Sequence, residues 1–471
     1  VNGNVGVDHS RGTAATRARP PEVDPVVPAL PPGAAPVPAG RPVRLRRVRA
    51  ALKHPGLSPY VRLGAAVATV NVVLAVVLGP SWAGAGAVRV AAATSDLALV
   101  NLALAVLMRQ RLVVNALFRT MLRIPRSWPY TVRWSAGKVS HFGGVHVGAA
   151  SSGVGWHVVS TVALFVAVAH GTAPAPAAVL PGMIAVALVA VVACAVRPVR
   201  ERWHDLFERT HRWLGWGLLI LMVGNTAVVT WAVAGGSLLA VLGAWQVWVV
   251  AVVVLSAAWP WTTLRRVPIT TERLSSHAIS VRFPQDRWTP LGSFVSFSRS
   301  PLTEWHSFAI IGPGDSGEGR VVVSRAGDWT GAFIESPPTH LWLKGRPTAG
   351  MGSASSLFDR VLFVATGSGI GPLFSVMELR ELPFRLLWVT RDPVATYGAE
   401  FVEHVRRIDP GAVVWDTTRD GKPDTLALTR RLQLDFDAHA VVCVSNKKLT
   451  WAVVGGMERQ GVAAYGAIFD S

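Results

Sequence analysis

Cysteine is almost missing from these 471 residues: Cys194 and Cys443 stand far apart, so no disulfide framework holds the chain. Acidic residues are scarce as well, 28 Asp and Glu against 46 Lys and Arg, which leaves a formal charge of +18. The surplus gathers in the N-terminal tail and in short stretches between apolar runs. That pattern fits an anionic membrane face; nucleic acid is excluded as a partner because it calls for a basic stripe on a folded soluble domain. Residues 1 to about 40 lack any apolar run. Rich in Pro, Ala and Gly, they cannot bury a core and are expected to be disordered. No secretory h-region follows in that stretch, so a signal peptide is not expected. No zinc-ligand spacing and no Ser/His/Asp grouping supports a hydrolase.

What the chain does have is apolar length. The hydrophobic fraction is 51%, the mean hydropathy is +0.37 and there are 19 Trp. Six stretches are long enough to cross a bilayer as helices: roughly 61–83, 87–108, 150–172, 176–196, 213–234 and 237–259. A basic segment, Arg41 to Arg49 with Lys53, precedes the first. One set of connections carries Arg109, Arg111, Arg119, Arg123, Arg126, Arg133 and Lys138, then Arg197, Arg200, Arg202, Arg209 and Arg212, with Arg265 and Arg266 after the last span. The alternate connections, Gly84–Val88, His170–Ala175 and Ala234–Ser237, hold no Lys or Arg. Both termini are therefore expected on the cytoplasmic side of the cell membrane. The long connection 111–149 is expected to pack on the soluble half. Asp96 is the one acid well inside a span, either functional, paired, or near water at its outer end.

From Thr262 the apolar runs shorten to strand length. Segments His277–Phe283, Phe294–Phe297, His306–Ile311 and Arg320–Val323 read as strands of a small barrel. After Phe358 strand and helix alternate: strands at 360–365, 385–389, 412–416 and 439–444, helices at 373–381, 398–407 and 448–459. That alternation predicts a parallel, doubly wound sheet. The expected domains are a tail (1–58), a six-helix transmembrane bundle (59–261), a β-barrel domain (262–357) and an α/β domain (358–471); the last two together resemble a ferredoxin reductase-like module, which implies FAD in the barrel domain and NAD(P) in the α/β domain. The most telling segment is Val361 to Pro372, where an apolar strand runs into Gly367-Ser-Gly-Ile-Gly371 and then a helix. Glycines let the backbone approach a pyrophosphate, and the helix N-terminus offers free N–H groups.

Four ordered motifs behind six spans make a resemblance specific. Trp305-His-Ser-Phe-Ala309 resembles the His-Pro-Phe-Thr flavin motif of the ferric reductase and NADPH oxidase superfamily. Ser324-Arg-Ala-Gly-Asp-Trp-Thr330 is similar to its Gly-Asp-Trp-Thr stretch, Leu343-Lys-Gly-Arg-Pro347 sits where it has Gly-Pro-Tyr-Gly, and Ala365 to Pro372 resembles its nucleotide loop. The resemblance implies that Trp305, His306, Ser307 and Phe308 border the isoalloxazine, and that Arg325, Asp328, Trp329, Thr330, Lys344, Gly345 and Arg346 belong to the FAD site. It implies that Thr366, Gly367, Ser368, Gly369, Ile370, Gly371 and Pro372 cradle a second pyrophosphate, with Ser445 and Asn446 near the nicotinamide. Thr390 and Arg391 end the next strand, Arg391 meeting a 2′-phosphate and so favouring NADPH. Phe469 would lie on the flavin, and with His306 would take part in catalysis. Two departures stand out: Ala309 lacks the usual hydroxyl, and Val442-Cys-Val-Ser-Asn-Lys447 places Cys443 one residue early, on the opposite strand face from a nicotinamide contact.

Superfamily members carry two b-type haems between histidines of the third and fifth spans. His157 and His170 are thirteen residues apart, roughly 20 Å along a helix. His211 answers in the fifth span, but Asn225 stands where a second ligand belongs, with Met222 a poor substitute. One inner haem between His157 and His211 is one expectation. Gly143-Gly-Val-His-Val-Gly148 and Phe207-Glu-Arg-Thr-His-Arg-Trp213 are also similar to membrane flavoproteins of the fungal TmpA type, as is Ala464 to Ser471. In that subgroup haem is not expected, and His146, His204 and His211 form a cluster at the cytoplasmic edge. The leading functional expectation is a membrane-bound NADPH:acceptor oxidoreductase, passing hydride from NADPH to FAD and on to a small-molecule or membrane electron acceptor. A haem-containing ferric reductase or NADPH oxidase, and a non-catalytic membrane redox sensor or scaffold, are the alternatives. Oligomeric state is not legible.

Overall fold

The computed structural model describes residues 58–285, 292–302, 304–311, 317–379 and 381–466. The expected tail, apart from Ser58, and Phe469 lie outside them. The first half is helical. Helix α1 (Pro59–Trp82) opens on Ser58, whose hydroxyl accepts the Val61 N–H, with Pro59 in its first turn. It is followed by α2 (Ala87–Leu107), α3 (Arg111–Leu122) and α4 (Tyr130–Ala136). Then come α5 (Gly143–Ala169), α6 (Val179–Ala195), α7 (Arg197–Arg202), α8 (His204–Val233), α9 (Leu238–Gly243) and α10 (Trp245–Thr262).

Among the described residues, six helices are long and apolar enough to cross a membrane. Three differ from expectation; the fifth starts at His204, nine residues before the expected position. The third begins at Gly143, because Gly144 lets α5 pass so close to α1 that a Cβ there would lie 2.0 Å from the Tyr60 carbonyl oxygen. The stretch expected as one span over 237–259 is broken. Gly235 and Gly236 take positive φ, Ser237 caps the short α9, and Ala244 is extended before α10 starts.

Several polar groups inside the bundle are paired. Asn71 and Asn101 exchange amide hydrogen bonds of 3.0 and 2.8 Å, and the Trp156 indole donates to Asn71 at 2.7 Å. Asp96 accepts from the Gln246 amide at 3.0 Å, tying α2 to α10. Such groups, removed from water, must find partners in the protein.

The second half begins with β1 (Arg265–Pro268), β2 (Thr270–Arg273), β3 (Ala278–Pro284), β4 (Phe294–Ser298), β5 (His306–Ala309), β6 (Glu318–Ser324), α11 (Asp328–Glu335) and β7 (His340–Leu343). Its strands form two sheets, β1-β7-β4-β5 and β2-β3-β6, around Phe283, Phe297, Val321 and Phe333. Strands β1, β2 and β7, each four residues long, were not foreseen. Then follow β8 (Val361–Thr366), α12 (Gly371–Leu379), β9 (Phe384–Thr390), α13 (Pro393–Tyr397), α14 (Ala399–Ile408), β10 (Val413–Asp416), α15 (Thr425–Asp435), β11 (Ala440–Val444), α16 (Lys447–Arg459) and β12 (Ala463–Gly466). The sheet is wholly parallel, in the order β10-β9-β8-β11-β12, with a switch point between β8 and β11. The doubly wound expectation holds, with β12, α13 and α15 as additions.

The connection 111–142 binds the two halves together. Phe118 and Met121 of α3 belong to the same core as Phe363, Phe374 and Trp388. The Tyr130 phenol donates to the His439 carbonyl (2.9 Å) and accepts the Ala463 N–H (2.6 Å). Arg133 donates to the Leu357 carbonyl, and Tyr465 to that of Trp134. The expected packing of this segment on the soluble half is present.

Candidate functional site

The carboxyl ends of β8 and β11 meet at the switch point, where α/β folds bind ligands. There the Thr366 and Ser445 hydroxyls lie 2.5 Å apart. Gly367 turns the chain with φ +51°, and its carbonyl accepts the Trp388 indole N–H at 2.9 Å. Gly369 is required by packing: a Cβ there would stand 2.3 Å from the Val444 carbonyl oxygen. Gly371 differs. A Cβ on it meets nothing within 4 Å, so the start of α12, with Pro372 in its first turn, opens onto free space. A narrow cleft beside it is lined by Ser324 at the end of β6, by Ser368, Ile370 and Gly371, and by Tyr397 and Phe401. The loop thus faces the barrel.

Thr390 is buried at the end of β9, and burial pushes the Tyr397 phenol up to about 12. Arg391 is exposed just past the carboxyl end of β9. Asp392 beside it takes φ +36°, donates its N–H to Asp416 at 2.9 Å and caps α13 through Ala395. Asp416, which sequence reasoning passed over, shapes this turn by also accepting the Thr418 N–H. Asn446 accepts from the Leu449 N–H and so serves as the cap of α16. Cys443 is fully buried, its thiol raised to about 12 by burial.

The residues assigned to flavin are not brought around one centre. In β5 alternate side chains leave opposite faces of the strand. His306 and Phe308 turn to Trp329, with ring centroids at 4.2 and 5.9 Å, and Trp329 stacks on Phe333 at 5.2 Å. Arg325 is held by Glu335, both terminal nitrogens at 3.0 Å. Thr330 accepts the N–H groups of Ala326 and Gly327, so Gly327-Asp-Trp-Thr330 starts α11, with Asp328 in its first turn. Ser307 leaves by the other face, 3.1 Å from the Ser296 hydroxyl.

On that second side lies a cationic and aromatic junction with the bundle. The Lys344 ammonium sits 4.5 Å from the ring centre of Trp305 and 4.7 Å from that of Trp261 of α10. Trp261 in turn lies edge-on to Trp216 and Trp305. Arg111 donates to the Lys344 carbonyl, to that of Arg346 (3.2 Å) and to Ser296 (2.8 Å). Gly345, at φ +70°, leaves room for that guanidinium. Arg111 was read only as a topological charge; a buried role is not visible in a lone arginine. The basic donors here suit an anionic group, whereas His306 and Phe308 are closed off on one side by Trp329.

Burial lowers Lys344 to about 8, helped by the charges of Arg111 and Arg212. The two indole faces act the opposite way, favouring the ammonium. Between about pH 8 and 10.5 the unfolded chain therefore binds a proton that the folded one lacks, so stability rises with pH across that window. Between pH 7 and 10 the thermal midpoint of wild type should rise relative to that of Lys344→Met. A constant difference would contradict this.

The histidines do not form the expected haem pair. His157 Nε2 bonds the Pro181 carbonyl at 3.0 Å, within the bundle. His211 instead meets His146 and Phe207, with ring centroids at 6.5 and 5.6 Å, and Phe207 meets His204. His146 and His157 are about 16 Å apart along α5. His170 is exposed at the end of α5, bonded to the Val166 carbonyl. Of the three histidines expected as an edge cluster, His146 and His211 meet, His204 reaches them only through Phe207, and His157 lies further along α5.

A family model described as the C-terminal domain of adenylate-forming reductase 03009 matches residues 351–471. Adenylate-forming reductase 03009 of Coprinopsis cinerea is 38% identical over 440 residues, 89% of this chain and 41% of that protein. Adenylate-forming reductase 06235 of the same fungus is 38% identical over 378 residues, 79% of this chain and 37% of its own length. The chain thus spans about two fifths of these curated relatives. Among solved structures it is similar to a ferredoxin NADP+ reductase from Neisseria gonorrhoeae with bound FAD and NADP (TM-score 0.37, 13% identity, covering 43% of this chain and 98% of that one). Human Ncb5or CS-b5R domains align at TM-score 0.36 and 11% identity, covering 43% of this chain and 69% of that one. The relatives' names overturn the expected membrane NADPH:acceptor oxidoreductase of ferric reductase type, together with its haem-containing and scaffold alternatives: sequences matching most of this chain are called adenylate-forming reductases.

Proposed function

We propose that this chain is the reductase unit of a system that resembles adenylate-forming reductases, drawing reducing equivalents from a nicotinamide dinucleotide with FAD as second cofactor. Adenylate formation is assigned to the part of such proteins that this chain does not span. The reducing power supplied here is then used on a substrate activated as an adenylate. The observation that carries the reading is the open N-terminus of α12 at the switch point, beside Thr366, Gly367 and Ser368. Free N–H groups and the positive helix end favour a pyrophosphate there. The exposed Arg391 at the end of β9 supports NADPH over NADH.

FAD would be held on the bundle-facing side by Trp305, Ser307, Lys344 and Arg346, with Arg111 orienting the 344–346 turn. When bound it links two-electron nicotinamide chemistry to the reduction. Ser324, Ser368 and Tyr397 line the passage between barrel and nucleotide loop, narrowing its access to water. The six apolar helices are read as crossing a bilayer, with both ends of the chain on the cationic, cytoplasmic side. Side chains such as Val76 and Ile220, 69% and 72% exposed, support this, since nothing among the described residues covers them.

Purified full-length chain should show flavin absorbance that bleaches on adding NADPH, more slowly with NADH. Flavin present but left oxidised by both nucleotides would overturn the reading, as would preparations that bind neither cofactor.

A further inference from the structure

Helix α7 is a short basic helix between α6 and α8, and it is tied down from one side. Arg197 pairs with Glu201 at 2.9 Å, and the same carboxylate oxygen lies 3.3 Å from the Lys447 ammonium at the start of α16. Arg197 and Lys447 both stand over the Trp451 ring, at 5.8 and 5.2 Å. The nucleotide domain therefore holds α7 in place.

The remaining groups of α7 and the first turns of α8 point elsewhere. Arg202 sits 5.3 Å over Trp203, and Arg200 sits 5.9 Å over Phe207. Trp203, Leu206 and Trp213 are 53%, 50% and 63% exposed, and Arg209 is exposed among them. Of the nearby acids, Glu201 is engaged by Arg197 and Lys447, and Glu208 by Arg212. Asp205 is the remaining one in the first turn of α8. Large amphipathic indoles set among guanidinium groups, at the end of an apolar helix, are the composition of a bilayer interface.

We propose that Arg202, Arg209 and Trp203 form a docking surface for the headgroups of anionic phospholipids. The occupant follows from charge complementarity and from continuity with the exposed apolar flank of α8, which a soluble anion would leave uncovered. The inference rests on the bilayer reading of the six helices. Because Glu201 and Trp451 fix α7, the cations are presented without a loop having to order on binding, which conserves affinity.

The test uses full-length protein in nanodiscs of phosphatidylcholine with or without about one third phosphatidylglycerol, each lipid in turn carrying a brominated chain that quenches nearby indoles. Stronger quenching by brominated phosphatidylglycerol than by brominated phosphatidylcholine is expected, with a relative association constant of about fivefold or more. Arg202→Gln/Arg209→Gln should bring that ratio close to one, while Trp203→Phe removes the part of the quenching that reports on this site. Equal quenching by both lipids in inserted wild-type protein would overturn the lipid surface alone. Undiminished preference in the double variant would also overturn it. Protein that does not enter nanodiscs at all would defeat the bilayer reading and this inference with it. Preference that is abolished by millimolar inorganic phosphate at constant ionic strength would show a soluble-anion site instead.

Discussion

Gly371→Glu should weaken nicotinamide-dinucleotide binding by about a hundredfold or more, with the thermal midpoint unchanged or slightly raised. The two effects have opposite signs for a physical reason. Residue 371 has helical φ and ψ of −53° and stands at the N-terminus of α12, and a Cβ there meets nothing. A carboxylate at that helix end is favourable to the protein, by about 0.3–1 kcal/mol. The same negative charge occupies the ground that a pyrophosphate needs and repels it, and a hundredfold loss corresponds to about 2.7 kcal/mol. Calorimetric titration with NADPH and a melting curve of the apoprotein check both signs. Gly371→Ala, which adds volume without charge, should retain affinity within a few fold. Near wild-type binding by the glutamate variant would refute the assignment of α12 as the anion-binding end.

Asn115→Leu should destabilise the docked molecule by about 2–5 kcal/mol, through loss of the bundle–barrel junction. Asn115 is buried on α3, where its amide donates to the Pro347 carbonyl at 3.0 Å and accepts the Ala349 N–H at 2.8 Å. Leucine fills a similar volume but leaves both backbone groups without a partner in a place water does not reach. Each such orphan costs about 1–3 kcal/mol. For a unit of this size the midpoint should fall by on the order of 2–6 °C. Protease cleavage near residues 344–350 should accelerate in parallel. A midpoint within a degree of wild type would show that α3 does not hold this junction.

How far the chain could be read in advance depends on the range over which each feature is determined. The apolar helices were legible because lipid-length hydrophobic runs declare themselves within one segment. The β8–Gly367–α12 turn was legible for the same reason: strand, glycines and helix are contiguous. The break at Ala244 was not, since 237–259 is apolar throughout and only Gly235, Gly236 and the Ser237 cap redirect the chain. Four-residue strands such as β1, β2 and β7 carry too little periodicity to register; their pairing partners define them.

The candidate site shows the same division more sharply. Thr366 to Pro372 lie together because they are consecutive. The barrel motifs were read as one ring of flavin contacts, yet the pairing of Ser307 with Ser296 and of His306 with Phe297 sends neighbouring side chains to opposite faces. Arg111 reaches Lys344 across more than two hundred positions of sequence, and His211 finds His146 where spacing had pointed to His157.

The amino-acid sequence alone determined the six apolar helices, the strand–helix alternation and the glycine turn, since each is set by side chains within a few residues of one another. Only the tertiary structure decided which face each barrel residue presents, which of the histidines meet, and through which contacts α3 and α4 lock the nucleotide domain to the bundle. Those outcomes depend on register and packing between segments far apart in the chain, where burial and hydrogen-bond satisfaction are settled jointly by both partners.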